Sequence, residues 1–107
     1  MDRIGRKLLA TGNGRCNLMN TDTPRYPGGR QLALAVLSRC GAKQQRQFWT
    51  GHGLVLRQED GGRVYPASGQ ASSVLDVLRL SLDGCGVRIK TETNVSSLKF
   101  ESGKWII

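Results

Sequence analysis

The residues best suited to chemistry stand near the start of the chain, in the segment Gly5–Asn17, which reads GRKLLATGNGRCN. Its glycines allow sharp turns and a close approach of the backbone to a ligand, and exposed N–H groups in such a loop attract anions. Arg6 and Lys7 add positive charge, and Arg15 can make a two-pronged contact with a phosphate or a carbonyl-bearing ring. The segment is therefore a candidate site for an anionic ligand, with an ordinary turn as the alternative.

Three more specific readings of this segment find no support in the sequence. A Walker phosphate loop needs Gly-Lys-Ser or Gly-Lys-Thr, but Gly14 is followed by Arg15 and Cys16. The dinucleotide fingerprint G-x-G-x-x-G needs a third glycine where Asn17 stands. A Cys16 nucleophile would need His52, the single histidine, beside it, and no sequence pattern brings the two together.

The cysteines bear on metal binding and on the compartment. There are three of them, widely spaced, and no C-x-x-C pair occurs. With one histidine in the chain, this argues against a zinc site and a disulfide framework, so we expect no metal site and a reducing, cytoplasmic compartment. No apolar run approaches the roughly 18 residues needed to cross a bilayer, so we expect no membrane segment.

The charge of the chain favours anionic partners. Lys and Arg number 16 against 8 Asp and Glu, which gives a net charge of +8, and the excess lies entirely before residue 59. Such charge suits a phosphorylated ligand or nucleic acid. A small basic nucleic-acid-binding module is therefore an alternative function, although the sequence has few aromatic residues and no recognised RNA- or DNA-binding signature. We expect no specific nucleic-acid partner.

Hydrophobic periodicity predicts the elements around the loop in the first half of the chain. Residues 5–29 read mostly as loop. A helix is predicted in RQLALAVLSRCG, with an apolar stripe made of Leu32, Val36, Leu37 and Cys40, and a second helix in AKQQRQFWTGHG. Two short strands, Leu54–Gln58 and Arg63–Tyr65, then flank a Glu-Asp-Gly-Gly turn.

The second half begins with the most regular helical pattern, ASSVLDVLRLSLDGCG. Ser72 or Ser73 is predicted to cap its start and Gly84 to end it. The alternation in VRIKTET predicts a strand over Val87–Thr93, and SSLKFESGKWII predicts a hairpin that turns at Ser102-Gly103. The order of elements indicates an α/β or α+β arrangement without internal repeats.

Three longer segments carry a family resemblance. GRKLLATGNGRCN with the following Asn20, then EDGGRVYPASGQASSVLDVLRLSL, then GVRIKTETNVSSL, resemble segments of a bacterial family of flavoproteins with two dinucleotide-binding folds. This family is described as NAD(P)/FAD-dependent oxidoreductases, some of them aminoacetone oxidase-like. The resemblance implies that residues 1–107 are a single, incomplete segment of an α/β, Rossmann-like FAD-binding domain.

The same resemblance implies a set of cofactor-binding residues. The first loop would lie against FAD, near its ribose, diphosphate and flavin, and the backbone of Val95 would meet the adenine. The alternative for Val95 is a core valine at the end of a strand. No catalytic residue is implied, because in flavoenzymes the cofactor carries the redox chemistry. The implied cofactor-lining residues of the loop are Gly5, Arg6, Lys7, Thr11, Gly12, Gly14, Arg15, Cys16 and Asn17.

The sequence also departs from the family pattern. The family's G-x-G-x-x-G segment would precede Gly5, where only four residues stand, and the chain ends at Ile107 inside the second arm of the hairpin. We therefore expect an internal piece of a flavin-dependent oxidoreductase, with an inert truncated fragment as the alternative. For the full-length protein, the resemblance implies FAD as cofactor, a small-molecule substrate, and NAD(P)H as a possible electron donor.

Overall fold

The computed structural model describes residues 4–22, 26 and 28–107. It contains four α-helices, two small sheets and one 3₁₀ turn among these residues. The helices are α1 (Arg6–Ala10), α2 (Arg30–Arg39), α3 (Ala42–Gly51) and α4 (Ala71–Gly84). The strands are β1 (Met19–Asn20), β2 (Leu56–Gln58), β3 (Arg63–Pro66), β4 (Lys99–Glu101) and β5 (Lys104–Ile106), and the 3₁₀ turn is Asp60–Gly62.

The first sheet is antiparallel, with the strand order β1-β3-β2. The predicted hairpin of two strands around the Glu-Asp-Gly-Gly turn is confirmed as β2 and β3, and Arg57 faces Tyr65 across the pair. Pro66 is the last residue of β3, as expected for a residue without an N–H to donate. Val64 is fully buried in this central strand, so the sheet forms one wall of the core.

Helix α4 forms the other wall and confirms the helix predicted from the periodicity. Ala71 and Val74 are buried and join Cys16 and Leu54 in one apolar cluster, against which Leu78 packs. The predicted serine cap is wrong, because the helix begins at Ala71 and its N-cap is Gln70, which makes no side-chain cap hydrogen bond. The Ser73 hydroxyl is hydrogen-bonded to that of Ser68 instead (2.8 Å).

The prediction that residues 5–29 are mostly loop misses two short elements. Helix α1 has five residues and β1 has two, lengths at which neither a helical nor an alternating pattern can be recognised. Leu8 of α1 packs against the core cluster, and β1 pairs with β3. The part of this prediction that concerns residues 23–25 and 27 lies outside the described residues.

The predicted strand Val87–Thr93 is wrong for this structure, in which residues 87–98 form neither helix nor strand. Val87 and Ile89, the two residues of its expected buried face, are 48% and 40% exposed. An alternating sequence becomes a strand only when a neighbour takes up its hydrogen bonds, and no strand pairs with this segment within the described ranges.

The C-terminal hairpin is confirmed as β4 and β5. Ser102 and Gly103 both have positive φ, 50° and 76°, which is the conformation that a two-residue hairpin turn requires. Phe100 and Trp105 face each other across the strands, and both are exposed.

Helices α2 and α3 confirm the two predicted helices, but the predicted apolar stripe of α2 is not a core face. Leu32 is 72% exposed and Val36 is 55% exposed, and α2 buries none of its residues. None of the helices that the structure describes is both long enough and apolar enough to cross a membrane.

Candidate functional site

The loop Thr11–Asn17 follows α1 and turns with an unusual backbone. Gly12, Asn13, Gly14 and Cys16 have positive φ, with values of 55°, 55°, 81° and 57°. The Thr11 carbonyl oxygen accepts hydrogen bonds from the N–H groups of Gly14 (3.1 Å) and Cys16 (3.0 Å), which closes the turn upon itself. The Gly-rich sequence is thus folded as a compact left-handed turn, the conformation for which glycine and asparagine are favoured.

Two contacts fix this loop on the rest of the fold. The N–H of Ala71, in the first turn of α4, donates to the Gly14 carbonyl oxygen at 2.8 Å. The Cys16 side chain is buried in the core cluster beside Leu54 and Val74. The loop therefore sits at the N-terminal end of α4, the end of a helix that favours negative charge.

Some N–H groups of the loop are left open by this arrangement. Gly12, Asn13 and Asn17 are exposed, and their N–H groups donate to no backbone carbonyl of the described residues. An exposed N–H group on a turn held in a fixed conformation is a ready donor to an anion or a carbonyl oxygen. The loop therefore offers backbone donors, while the thiol of Cys16 lies in the core.

The guanidinium of Arg15 is held by residues of the β2–β3 hairpin. Its Nη2 is hydrogen-bonded to the Oε1 of Glu59, and its Cζ lies 4.0 Å from the centre of the Tyr65 ring. The same Glu59 oxygen accepts a hydrogen bond from the Nη2 of Arg57 at 3.1 Å. The arrangement combines a charge-assisted hydrogen bond with a cation over an aromatic ring.

The ion pair changes the titration of both partners in the expected directions. The hydrogen bond from Arg15 lowers the pKa of the Glu59 carboxyl below its usual value, with the charges of Arg15 and Arg57 acting in the same direction. The hydrogen bond to Glu59 raises the pKa of Arg15. Both groups are therefore charged near neutral pH, and the cluster of two arginines and one carboxylate keeps a net positive charge.

Sequence reasoning missed Glu59 and Tyr65 as residues of this site. Alternation along a strand places residues two apart on the same face, so Arg57 and Glu59 share a face with Tyr65, the cross-strand partner of Arg57. The predicted hairpin had no stated register and placed Glu59 in its turn, so it did not group these three residues. The contact with Arg15, which is 44 residues from Glu59 in the chain, had no local signal.

The remaining predicted residues of the first segment lie on or beside α1. Gly5 is the N-cap of this helix with φ of 74°, and a Cβ there would meet Cδ1 of Leu75 on α4. Close packing of α1 on α4 is thus one local reason for the glycine. Arg6 and Lys7 are exposed on α1.

Val95 lies in the irregular segment 87–98 and is 55% exposed. A cavity of about 340 Å³ lies between α1, α4 and the start of this segment, and Ile89 and Thr91 contribute to its wall together with Leu9 and Leu75. Val95 is not part of that wall. The structure therefore groups the loop residues with Arg15 and its partners, and it does not place Val95 among them.

His52 is the C-cap of α3, and its Nδ1 lies 2.7 Å from the Phe48 carbonyl oxygen. Cys16, in contrast, packs in the core cluster. Over the described ranges, no three His, Cys, Asp or Glu residues are grouped so as to hold a metal ion.

Comparison with known proteins places the chain in a family. Residues 1–107 match the family described as HI0933-like protein Rossmann domain. The chain is also 39% identical over 109 residues to the 3-dehydro-bile acid delta(4,6)-reductase of Clostridium scindens, an alignment that covers 99% of this chain. The chain spans only about a quarter of that relative, 26% of its length. The mixed helices and strands agree with a partial α/β, Rossmann-like fold. The chain thus belongs to the HI0933-like Rossmann-domain family, in agreement with the family resemblance of its loop, hairpin and α4 segments.

Proposed function

We propose that residues 1–107 form part of the FAD-binding domain of a flavin-dependent oxidoreductase, and that the loop Thr11–Asn17 contacts the FAD in the full-length protein. The observation that carries this proposal is the left-handed turn at Gly12, Asn13 and Gly14, which leaves exposed backbone donors beside the N-terminus of α4. Family membership supplies the class of ligand for these donors.

The donor set suits the anionic part of a dinucleotide. Exposed N–H groups, the positive end of a helix and a guanidinium are the groups that bind phosphate oxygens in proteins. The pKa of Arg15 is raised, so its charge is kept at all physiological pH values. Arg6 and Lys7 are exposed on α1, directly before the loop, and add to the positive potential.

The roles of the chain's own residues follow from this geometry. The open N–H groups of Gly12, Asn13 and Asn17 would donate to oxygens of the cofactor, and Arg15 would neutralise negative charge. Cys16 would anchor the loop through its buried side chain rather than react. FAD, when bound, supplies the acceptance and donation of a hydride or of electrons.

The substrate and the electron donor are further proposals for the full-length protein. The reductase of Clostridium scindens, to which the chain is similar, is named for reduction of a 3-dehydro-bile acid. By analogy, we propose that the full-length protein transfers electrons between NAD(P)H and a small organic molecule in the cytoplasm.

The test uses the full-length protein and three variants. Gly14→Val adds a β-branched side chain at φ of 81°, where an added Cβ meets nothing closer than the Leu9 carbonyl oxygen at 3.9 Å. The new side chain therefore stands in open space, where the ligand would approach, and we expect the FAD content to fall sharply while the protein stays folded. Arg15→Ala should weaken FAD binding less, by about 1.5–3 kcal/mol for one charged contact.

Gly86→Val is the matched control. Gly86 also has positive φ (69°) with open space around it, but it follows the C-terminal end of α4, whereas Gly14 contacts the N-terminal end. The Gly86→Val substitution therefore introduces the same kind of backbone strain at a position outside the loop. Equal FAD-to-protein ratios in the Gly14→Val variant and the wild type would show that the loop is a turn without a role in binding.

A further inference from the structure

We propose that Glu59 is a positioning residue for the cofactor site, which holds the guanidinium of Arg15 in the orientation that binds the diphosphate of the dinucleotide. This inference rests on the proposed function of the loop. It concerns a carboxylate that the ligand itself would repel, so its place beside a site for an anion calls for an explanation.

The Arg15 side chain is constrained on two sides. Glu59 holds one nitrogen, Nη2, and the Tyr65 ring lies under the guanidinium carbon at 4.0 Å. A long, flexible side chain loses rotamer freedom when it is fixed in this way. A guanidinium that is already oriented before the ligand arrives loses less on binding, which increases affinity without a new contact.

The constrained Arg15 side chain can still bind a phosphate group. The hydrogen bond to Glu59 is made by Nη2, and the other guanidinium nitrogens donate to no acceptor in the part of the chain described here. Because a guanidinium carries five N–H donors, most of them are still available to phosphate oxygens. Arg15 is also about one-third exposed, so a ligand can reach it.

The negative charge of Glu59 is compensated by Arg57 as well as by Arg15. Arg57 donates to the same Oε1 at 3.1 Å, so the carboxylate is shared between two arginines. The β2–β3 hairpin fixes this arrangement, because the Glu59 N–H donates to the Arg63 carbonyl oxygen at 2.8 Å where the hairpin turns. The cluster as a whole therefore still attracts an anion, while its carboxylate holds the guanidinium of Arg15 in place.

The test measures ligand affinity in the full-length, flavin-free protein by titration with FAD and, separately, with riboflavin, which carries no phosphate. Glu59→Gln keeps the size of the side chain and removes its charge. We expect it to weaken FAD binding about tenfold, as the loss of one oriented charged contact would. Riboflavin affinity should be unchanged, because Arg15 would act on the phosphates.

Two comparisons separate positioning from a general structural role. The double variant Arg15→Ala/Glu59→Gln should bind FAD no more weakly than Arg15→Ala alone, because Glu59 acts through Arg15. Asp60→Asn, which removes an exposed carboxylate of the same hairpin turn and leaves Glu59 in contact with Arg15, should change FAD affinity by less than about threefold. The Tm of each variant, measured without flavin, reports any loss of folding.

The outcomes are distinct. Wild-type protein that binds no FAD would overturn both this inference and the proposed function. Wild-type binding together with an unaffected Glu59→Gln variant would overturn this inference alone. An equal loss of FAD and riboflavin affinity in Glu59→Gln, or additive effects in the double variant, would assign Glu59 a structural role in the loop and would also contradict the inference.

Discussion

Gly12 and Gly14 have the same kind of backbone angle but different tasks in the loop. A Cβ on Gly12 would lie 2.7 Å from the backbone nitrogen of Asn17, which cannot move without opening the turn. A Cβ on Gly14 would meet nothing closer than 3.9 Å. Gly12 is therefore needed for the loop to close, whereas Gly14 leaves the outer surface of the loop open.

This difference predicts the relative stability of two alanine variants of the full-length, flavin-free protein. Gly14→Ala should cost about 1–2 kcal/mol from the left-handed backbone alone. Gly12→Ala should lower the Tm further, because it adds the backbone clash to the same strain. Thermal unfolding of both variants checks the order. Equal Tm values would mean that the loop adapts to the added methyl group.

The ion pair at Glu59 predicts a dependence of stability on pH. The pKa of Glu59 is lowered in the folded protein, so its ionised form is favoured by folding. The resulting stabilisation is present above the usual carboxyl pKa near 4.5 and is lost as the pH falls through the lower, folded value. Urea unfolding between about pH 3 and about pH 7 should show a weaker acid destabilisation in Glu59→Gln than in the wild type. Parallel pH profiles of the two proteins would contradict a lowered pKa of Glu59 in the folded protein.

Among the elements, those with a complete local signal could be predicted from the sequence. Helix α4 has its apolar residues at helical spacing, and the β4–β5 hairpin has Ser-Gly at its turn. Helix α1 and strand β1 are too short to carry a pattern. The segment 87–98 has the alternation of a strand, but strand formation depends on a neighbour, which no local sequence specifies.

The same limit applies to the candidate site. The Gly-rich composition of Thr11–Asn17 predicted a tight turn with open backbone donors, and the turn is present. The partners of Arg15 could not be predicted, because Glu59 and Tyr65 reach it only when the hairpin folds against the loop. A contact between residues so far apart in the chain is a property of the tertiary structure.

The burial of one face of α4 predicts how substitutions along this helix affect stability. Val74 is fully buried in the cluster with Cys16 and Leu54, whereas Leu80 on the same helix is 71% exposed. Val74→Ala should destabilise the full-length protein by about 2 kcal/mol, through lost burial and the cavity left behind. Leu80→Ala should destabilise the protein less than Val74→Ala does. Chemical denaturation measures both, and similar losses would contradict this placement of the core.

At the scale of the whole molecule, the chain is less compact than an independent domain of its length. Its radius of gyration is 16.6 Å, against about 13 Å expected for a compact domain of this size. Phe100 and Trp105 of the hairpin are 61% and 66% exposed. The net charge of +8 adds repulsion between like charges, and we expect it to give nucleic acids a salt-sensitive attraction without sequence readout.

These features predict that the isolated 107-residue chain does not retain FAD. A loop, one guanidinium and one helix end hold only part of a dinucleotide, and the exposed apolar surface favours aggregation. Purification with excess FAD, desalting and a visible spectrum check this. A yellow protein with one flavin per chain would mean that the 107 residues contain a complete site.

The most direct measurement is a crystal structure of the full-length protein with FAD bound. It should place an oxygen of FAD within about 3.2 Å of at least one of the backbone nitrogens of Gly12, Asn13 and Asn17. The Arg15 guanidinium should contact a phosphate oxygen while still held by Glu59. FAD bound with all three nitrogens and Arg15 beyond about 3.5 Å from it would contradict the assignment of this loop as a cofactor-binding segment.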